Sequence, residues 1–227
     1  MIEEFFNKEA KAFSVFIFGL IALGTLVIST QLAVVICSKW YGIIVGIIAM
    51  ILAIPLHLLA KKHRILYVFG FLLNSIGSGF SVSAYYLTEK IEPDLITLFL
   101  SAIPAAAILA LIYVVLQIFS KSKNVSVSIA VILNVILLGL AVFHWIKTGD
   151  IIFSMAFFCL LQSLFYICVF GVTINHDERY VLRDISFGGF GSFIIITVVV
   201  IVIISGGDIL EGVDFGGGDG KKKSKKS

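Results

Sequence analysis

Residues 194–204 read IIITVVVIVII, eleven positions with Thr197 as the one polar side chain. The run does not alternate between apolar and polar residues, as a membrane-spanning β-strand must over about 10 positions. Extended in both directions, the apolar character covers 187–205 without a charge. About 20 such residues cross the hydrocarbon core of a bilayer as a helix. Six further stretches have the same character: 13–37, 42–60, 65–87, 95–119, 125–146 and 151–174. The fold class that follows is all-α, a polytopic membrane protein with seven transmembrane helices.

Composition supports this class. Of 227 residues, 59% are hydrophobic and 14% charged, and the mean hydropathy is +1.10. A soluble domain carries about 25% charged residues. Those figures exclude a soluble globular domain, a disordered chain and a disulfide scaffold. Residues 1–12 read as a short cytoplasmic N-terminus, 13–205 as the seven-helix domain and 206–227 as a flexible tail rich in glycine and lysine. The start, MIEEFFNKEAK, mixes acidic and basic residues ahead of a 25-residue apolar stretch. A signal peptide has a basic start and a shorter apolar region, so the first segment reads as a retained helix.

None of the 17 Lys and Arg or 14 Asp and Glu falls inside a span. A charge at the bilayer centre is costly. Its absence removes mechanisms that depend on a carboxylate or an ammonium at membrane depth. The cations also orient the chain, because cytoplasmic loops carry an excess of Lys and Arg. One side holds Lys8, Lys11, Lys61, Lys62, Arg64, Lys121, Lys123, Arg179 and Arg183; the short connections on the other hold Lys39, Lys90 and Lys147. The N-terminus is therefore expected in the cytoplasm and the C-terminus outside, in a multi-pass protein of the cell membrane. Trp40, Trp145, Tyr41, Tyr85 and Tyr86 fall at span ends, where aromatic residues favour the membrane–water boundary.

The third span, ILYVFGFLLNSIGSGFSVSAYYL (65–87), is the most informative. Gly70, Asn74, Ser78, Ser81 and Tyr85 recur at steps of three and four and so share one helical face. Such a face serves either close helix packing with interhelical hydrogen bonds or the lining of a polar passage or pocket. Gly77 lies beside it. Gly42 and Gly46 form a GxxxG pattern in the second span, and Gly42, Gly46, Gly70 and Gly77 are the candidates for helix packing. Pro55 and Pro104 are expected to bend the second and fourth spans. The second half of the seventh span, nearly all β-branched, is expected to face lipid.

Three neutral amides, Asn74, Asn134 and Gln162, sit near mid-depth in three different spans. Hydrocarbon satisfies neither their donors nor their acceptors. Together with Ser78, Ser81 and Tyr85 they are the candidates for lining a pore or ligand site; the alternative is a set of separate interhelical hydrogen bonds. His57 and His144, near opposite span ends, read as interfacial histidines.

No catalytic residue, metal ligand set or cofactor is expected. Cys37, Cys159 and Cys168 form no CxxC pair, and Ser78 has no base at its depth because His144 lies near a span end. The segment NHDERYVLRD (175–184) reads as a solvated lead-in to the seventh span. Two functions remain. One is a small transporter or channel-like protein for a neutral or weakly polar solute; the other is a non-catalytic membrane subunit that anchors or regulates a partner complex. Three amides at one depth favour the first. Expected partners are the bilayer, a protein partner or second copy, and anionic lipid or polymer at the five tail lysines; no specific nucleic acid is expected. A reporter fused after Ser227 should be active only outside the cytoplasm, and activity in the cytoplasm would overturn the orientation or the number of spans.

Overall fold

The computed structural model describes residues 2–38, 41–60, 63–118, 123–174 and 176–205. Trp40, Lys39, Lys61, Lys62, Lys121 and the tail 206–227 lie outside the described residues. Seven helices follow in order: α1 (Ile2–Ile36), α2 (Tyr41–Leu59), α3 (Ile65–Glu89), α4 (Leu95–Ile118), α5 (Lys123–Thr148), α6 (Ile151–Thr173) and α7 (Glu178–Ile204). No strand occurs among the described residues. Each helix is long and apolar enough to cross a membrane, so the chain is built as a multi-pass integral membrane protein. Below, the N-terminal face is the end of the bundle where α3 begins and α6 ends.

The helices overrun the apolar stretches. The segment IEEFFNKEAKA holds no glycine or proline, and α1 runs through it from Ile2 without a break. Residues 2–12 are therefore continuous with the first span. The helix α7 likewise begins at Glu178, so most of the charged lead-in is its first two turns. Pro55 and Pro104 both lie inside continuous helices.

The centre of the bundle is α3 and α6. Of the most apolar stretch of each, 61% of residues are buried, against 28% for α2 and 22% for α5. Without a hydrophobic force between helices in lipid, association depends on close van der Waals contact, which small residues allow. The helix α3 has small residues on three sides. Toward α2, a Cβ on Gly42 would stand 2.6 Å from the Phe80 carbonyl oxygen, and one on Gly46 2.5 Å from Ser81 Oγ. Toward α1, a Cβ on Gly79 would collide with Ser29 Oγ and lie 2.7 Å from the Leu26 carbonyl oxygen. Toward α7, a Cβ on Gly77 would meet the Phe193 ring at 3.0 Å. Thr30 Oγ1, bonded to its own Leu26 carbonyl, also approaches the Gly79 carbonyl at 3.2 Å across the α1–α3 contact.

The β-branched half of α7 does not simply face lipid. Phe193, Ile196 and Val200 are fully buried, while Ile195 and Val198 are exposed. Steps of three and four put the first three on one face. A run of uniformly apolar residues carries no amphipathic signal to distinguish that face from the lipid side.

Short turns fix the register of neighbours. The helix α3 stops at Lys90, which adopts a left-handed conformation (φ 56°), and the Ile91 N–H reaches back to the Tyr86 carbonyl at 2.9 Å. Gly149 (φ 68°) turns the chain between α5 and α6, and the Asp150 carboxylate caps α6 by accepting from the Ile152 N–H at 2.9 Å. The α6–α7 connection is tied to α1, because Lys11 Nζ donates to the His176 carbonyl at 2.8 Å.

The role of close approach is testable by contrast. Gly79→Ala should destabilise the bundle by about 1–3 kcal/mol through overpacking. Gly139→Ala, where a Cβ meets nothing within 4 Å, should be neutral or gain up to about 1 kcal/mol of helix propensity. Thermal unfolding in detergent measures both; equal effects would contradict the packing around α3.

Candidate functional site

Two contacts set the alignment of α3 against α6. Tyr86 Oη and Ser154 Oγ share a hydrogen bond of 3.1 Å, and the Phe71 and Tyr166 rings meet edge to face at 6.4 Å. The helices are therefore antiparallel. On α6, Ser154, Phe158, Gln162, Tyr166 and Phe170 recur every fourth residue and share one face. Phe158 packs on Tyr85 at 6.3 Å and Tyr166 on Phe71. Gln162, midway between Phe158 and Tyr166, therefore faces α3. Counting from the Tyr86–Ser154 contact brings Gln162 level with Ser78, and counting from the Phe71–Tyr166 contact brings it level with Ser75. Asn74 lies between one residue and one turn, about 2–6 Å, nearer the N-terminal face. Asn74, Ser75, Ser78 and Gln162 are all buried.

Hydrogen-bond bookkeeping separates these residues. Ser75 Oγ donates to the Phe71 carbonyl at 3.0 Å and Ser78 Oγ to the Asn74 carbonyl at 2.9 Å, so both hydroxyl protons return to their own helix. Asn74 Nδ2 and Oδ1 and Gln162 Nε2 and Oε1 have no protein partner. Leaving one such buried group unsatisfied costs about 1–3 kcal/mol, and no water in the hydrocarbon core relieves it. Asn134 is different. Its Nδ2 donates to Ser163 Oγ, whose proton goes to the Leu160 carbonyl, although Asn134 Oδ1 stays unpartnered. Ser163 is one residue, about 100° of helix, from Gln162. The three amides thus share a depth, but Asn134 lies on the α5 side of α6 and does not join the other two.

Aromatic layers lie on both sides of the level at which Asn74 and Gln162 sit along the bundle. Away from the N-terminal face, Trp145 Nε1–H donates to Tyr85 Oη at 2.9 Å, and the two rings meet edge to face at 5.2 Å. Tyr86, Phe157 and Phe158 complete that layer. Toward the N-terminal face, Phe71 meets Phe18 at 5.1 Å as well as Tyr166. Tyr166 is seated between Gly19 of α1 and Gly189 of α7; a Cβ on Gly189 would stand 3.3 Å from Tyr166 Oη and 3.5 Å from Phe71. The Tyr166 hydroxyl also lacks a hydrogen bond of ordinary geometry. Between the two aromatic layers lie buried amide donors and acceptors, those of Asn74 and Gln162.

The remaining stripe residues of α3 have other occupations. The Ser81 and Thr197 hydroxyls share a hydrogen bond of 2.8 Å that ties α3 to α7. Gly70 makes room for the His57 ring, 2.9 Å from where a Cβ would stand, and Tyr85 belongs to the aromatic layer. Gly42, Gly46 and Gly77 lie in the α2–α3–α7 contact already described.

The histidines divide. His144 sits near the far end of α5, exposed, stacked on Phe153 at 4.9 Å. His57 is not a loose interfacial residue but a buried one. Its Nδ1 lies 2.7 Å from the Ala53 carbonyl oxygen and its Nε2 2.7 Å from Ser186 Oγ. A neutral ring with its proton on Nδ1 satisfies both contacts, Ser186 donating to Nε2. Sequence reasoning missed Ser186 and Tyr166 as partners in these layers; the signal available was the glycine beside each neighbour, Gly70 and Gly189.

Comparison with protein-family models, curated proteins and solved structures gave no match.

Proposed function

We propose that the chain is a carrier for a small, neutral, hydrogen-bonding solute, bound between α3 and α6 by Asn74 and Gln162. One observation supports this most: two fully buried amides whose four polar atoms find no protein partner. Packing alone gives no return for that cost, whereas a solute offering two donor hydrogens and two acceptor lone pairs would satisfy all four. No Asp, Glu, Lys or Arg lies in the seven apolar stretches, where a charged cargo at this depth would need a balancing charge. The class is therefore uncharged molecules such as amides, ureas or polyols. Aromatic layers on both sides favour a carrier that exposes its site to one face at a time over an open pore. The three glycines of α7, Gly188, Gly189 and Gly191, hold that helix close against Phe165, Tyr166 and Val169 of α6. Separation of α7 from α6 there would uncover Tyr166 and open the centre toward the N-terminal face.

Stopped-flow swelling of proteoliposomes with urea, acetamide and glycerol tests the proposal. The intact protein should accelerate entry of at least one of them. Asn74→Leu and Gln162→Met should each cut that rate about tenfold or more. Both variants should also unfold at a temperature about 2–4 °C higher, since each removes an unsatisfied buried group. Unchanged flux in the variants, or acceleration restricted to charged solutes, would overturn the proposal.

A further inference from the structure

A second feature lies apart from the amide centre, at the N-terminal face between α2, α3 and α7. It is an open groove of about 290 Å³. Its walls are Ile54 and Leu58 of α2 and Phe187 and Phe190 of α7. His57, Tyr67 and Arg183 supply its polar edge. Ile54, Leu58 and Phe187 are 46%, 66% and 51% exposed. On a membrane span, exposed apolar side chains face acyl chains, so the groove opens into the bilayer.

Its charged end is as informative. Arg183 is the last cation before the apolar run of α7. Its Nε and Nη2 hydrogen-bond Asp184 Oδ1 at 3.1 and 3.0 Å, and its guanidinium covers the Tyr180 ring at 4.3 Å. Asp184 is shared, since its Oδ2 meets His176 Nδ1 at 2.7 Å. The guanidinium carries five N–H donors in a planar fork suited to phosphate, and two of them go to Asp184. A second cation lies at the same end of the bundle. Arg64 is exposed at the start of α3, one turn before Tyr67 and on the same helix face. An apolar groove open to the acyl region, edged by Arg183 and with Arg64 one turn before its lining residue Tyr67, is complementary to one kind of occupant.

We propose that this groove binds an anionic phospholipid, its acyl chain along Ile54, Leu58, Phe187 and Phe190 and its phosphate at Arg183 and Arg64. The lipid lies over the His57–Ser186 hydrogen bond, which joins α2 to α7. It therefore braces a contact between two helices that otherwise touch little, and the bundle should be more stable with it bound. The proposal is independent of the solute carried.

Native mass spectrometry of the full chain, with phosphatidylglycerol or phosphatidylcholine of identical chains added to the detergent, tests it. The intact protein should retain phosphatidylglycerol preferentially and gain thermal stability from it. Arg183→Gln should weaken retention about five- to tenfold, and Leu58→Trp, which fills the apolar part, should weaken it without touching a charge. Lys147→Gln, on the opposite face, should leave it unchanged. Equal retention of the two lipids, or retention in both groove variants equal to that of the intact protein, would overturn the proposal.

Discussion

Hydrocarbon offers no hydrogen bonds, and the rest of this structure follows from that constraint. All 31 formally charged side chains stay outside the apolar stretches. Backbone groups are satisfied within helices, as a spanning segment requires. Most hydroxyls at depth give their protons to carbonyls one turn earlier, as Ser29, Thr30, Ser75 and Ser78 do. Others pair across helices, as Ser81 does with Thr197 and Tyr86 with Ser154. Against that background the amides of Asn74 and Gln162 stand out, because each leaves both its donor and its acceptor unpartnered.

The same small residues that make α3 an effective packing helix also make it a wall of the polar centre. Gly77 and Gly79 bring α7 and α1 close on two sides, and Gly42 and Gly46 bring α2 in on a third. The fourth side, toward α6, is held open by larger groups: Phe71 and Tyr166 at one level, Tyr85, Tyr86 and Phe158 at another. Tight contact on three sides and aromatic spacers on the fourth leave the intervening turn, with Asn74, Ser78 and Gln162, enclosed. Packing and lining, alternatives for one stripe when read from spacing, are thus divided among its members. Gly70, Ser81 and Tyr85 are taken up by contacts with α2, α7 and α5, while Asn74 alone keeps its polar atoms uncommitted.

Much of this was legible in the sequence because its cause is local. Seven apolar stretches mark seven helices, since crossing length and hydropathy are properties of a single segment. GxxxG at Gly42 and the mid-depth amides are visible for the same reason. Helix adjacency is not local. Nothing in the spacing of α6 shows that Gln162 turns to α3 while Ser163 turns to α5, because α6 is apolar on every side and has no amphipathic pattern to read. Likewise IIITVVVIVII reads as lipid-facing, although Ile196 and Val200 are core residues. His57 and Ser186 are 129 positions apart, and only the fold shows that one hydrogen bond joins them.

On the proposed function, Asn74 and Gln162 form a binding centre which the protein itself does not satisfy. The most direct measurement is an experimental density map of the protein in a lipid nanodisc, sharp enough to show ordered water. Density from a non-protein molecule is expected between α3 and α6, within about 3 Å of both amide groups. Amides turned onto each other or onto backbone carbonyls, with no density between the helices, would contradict it.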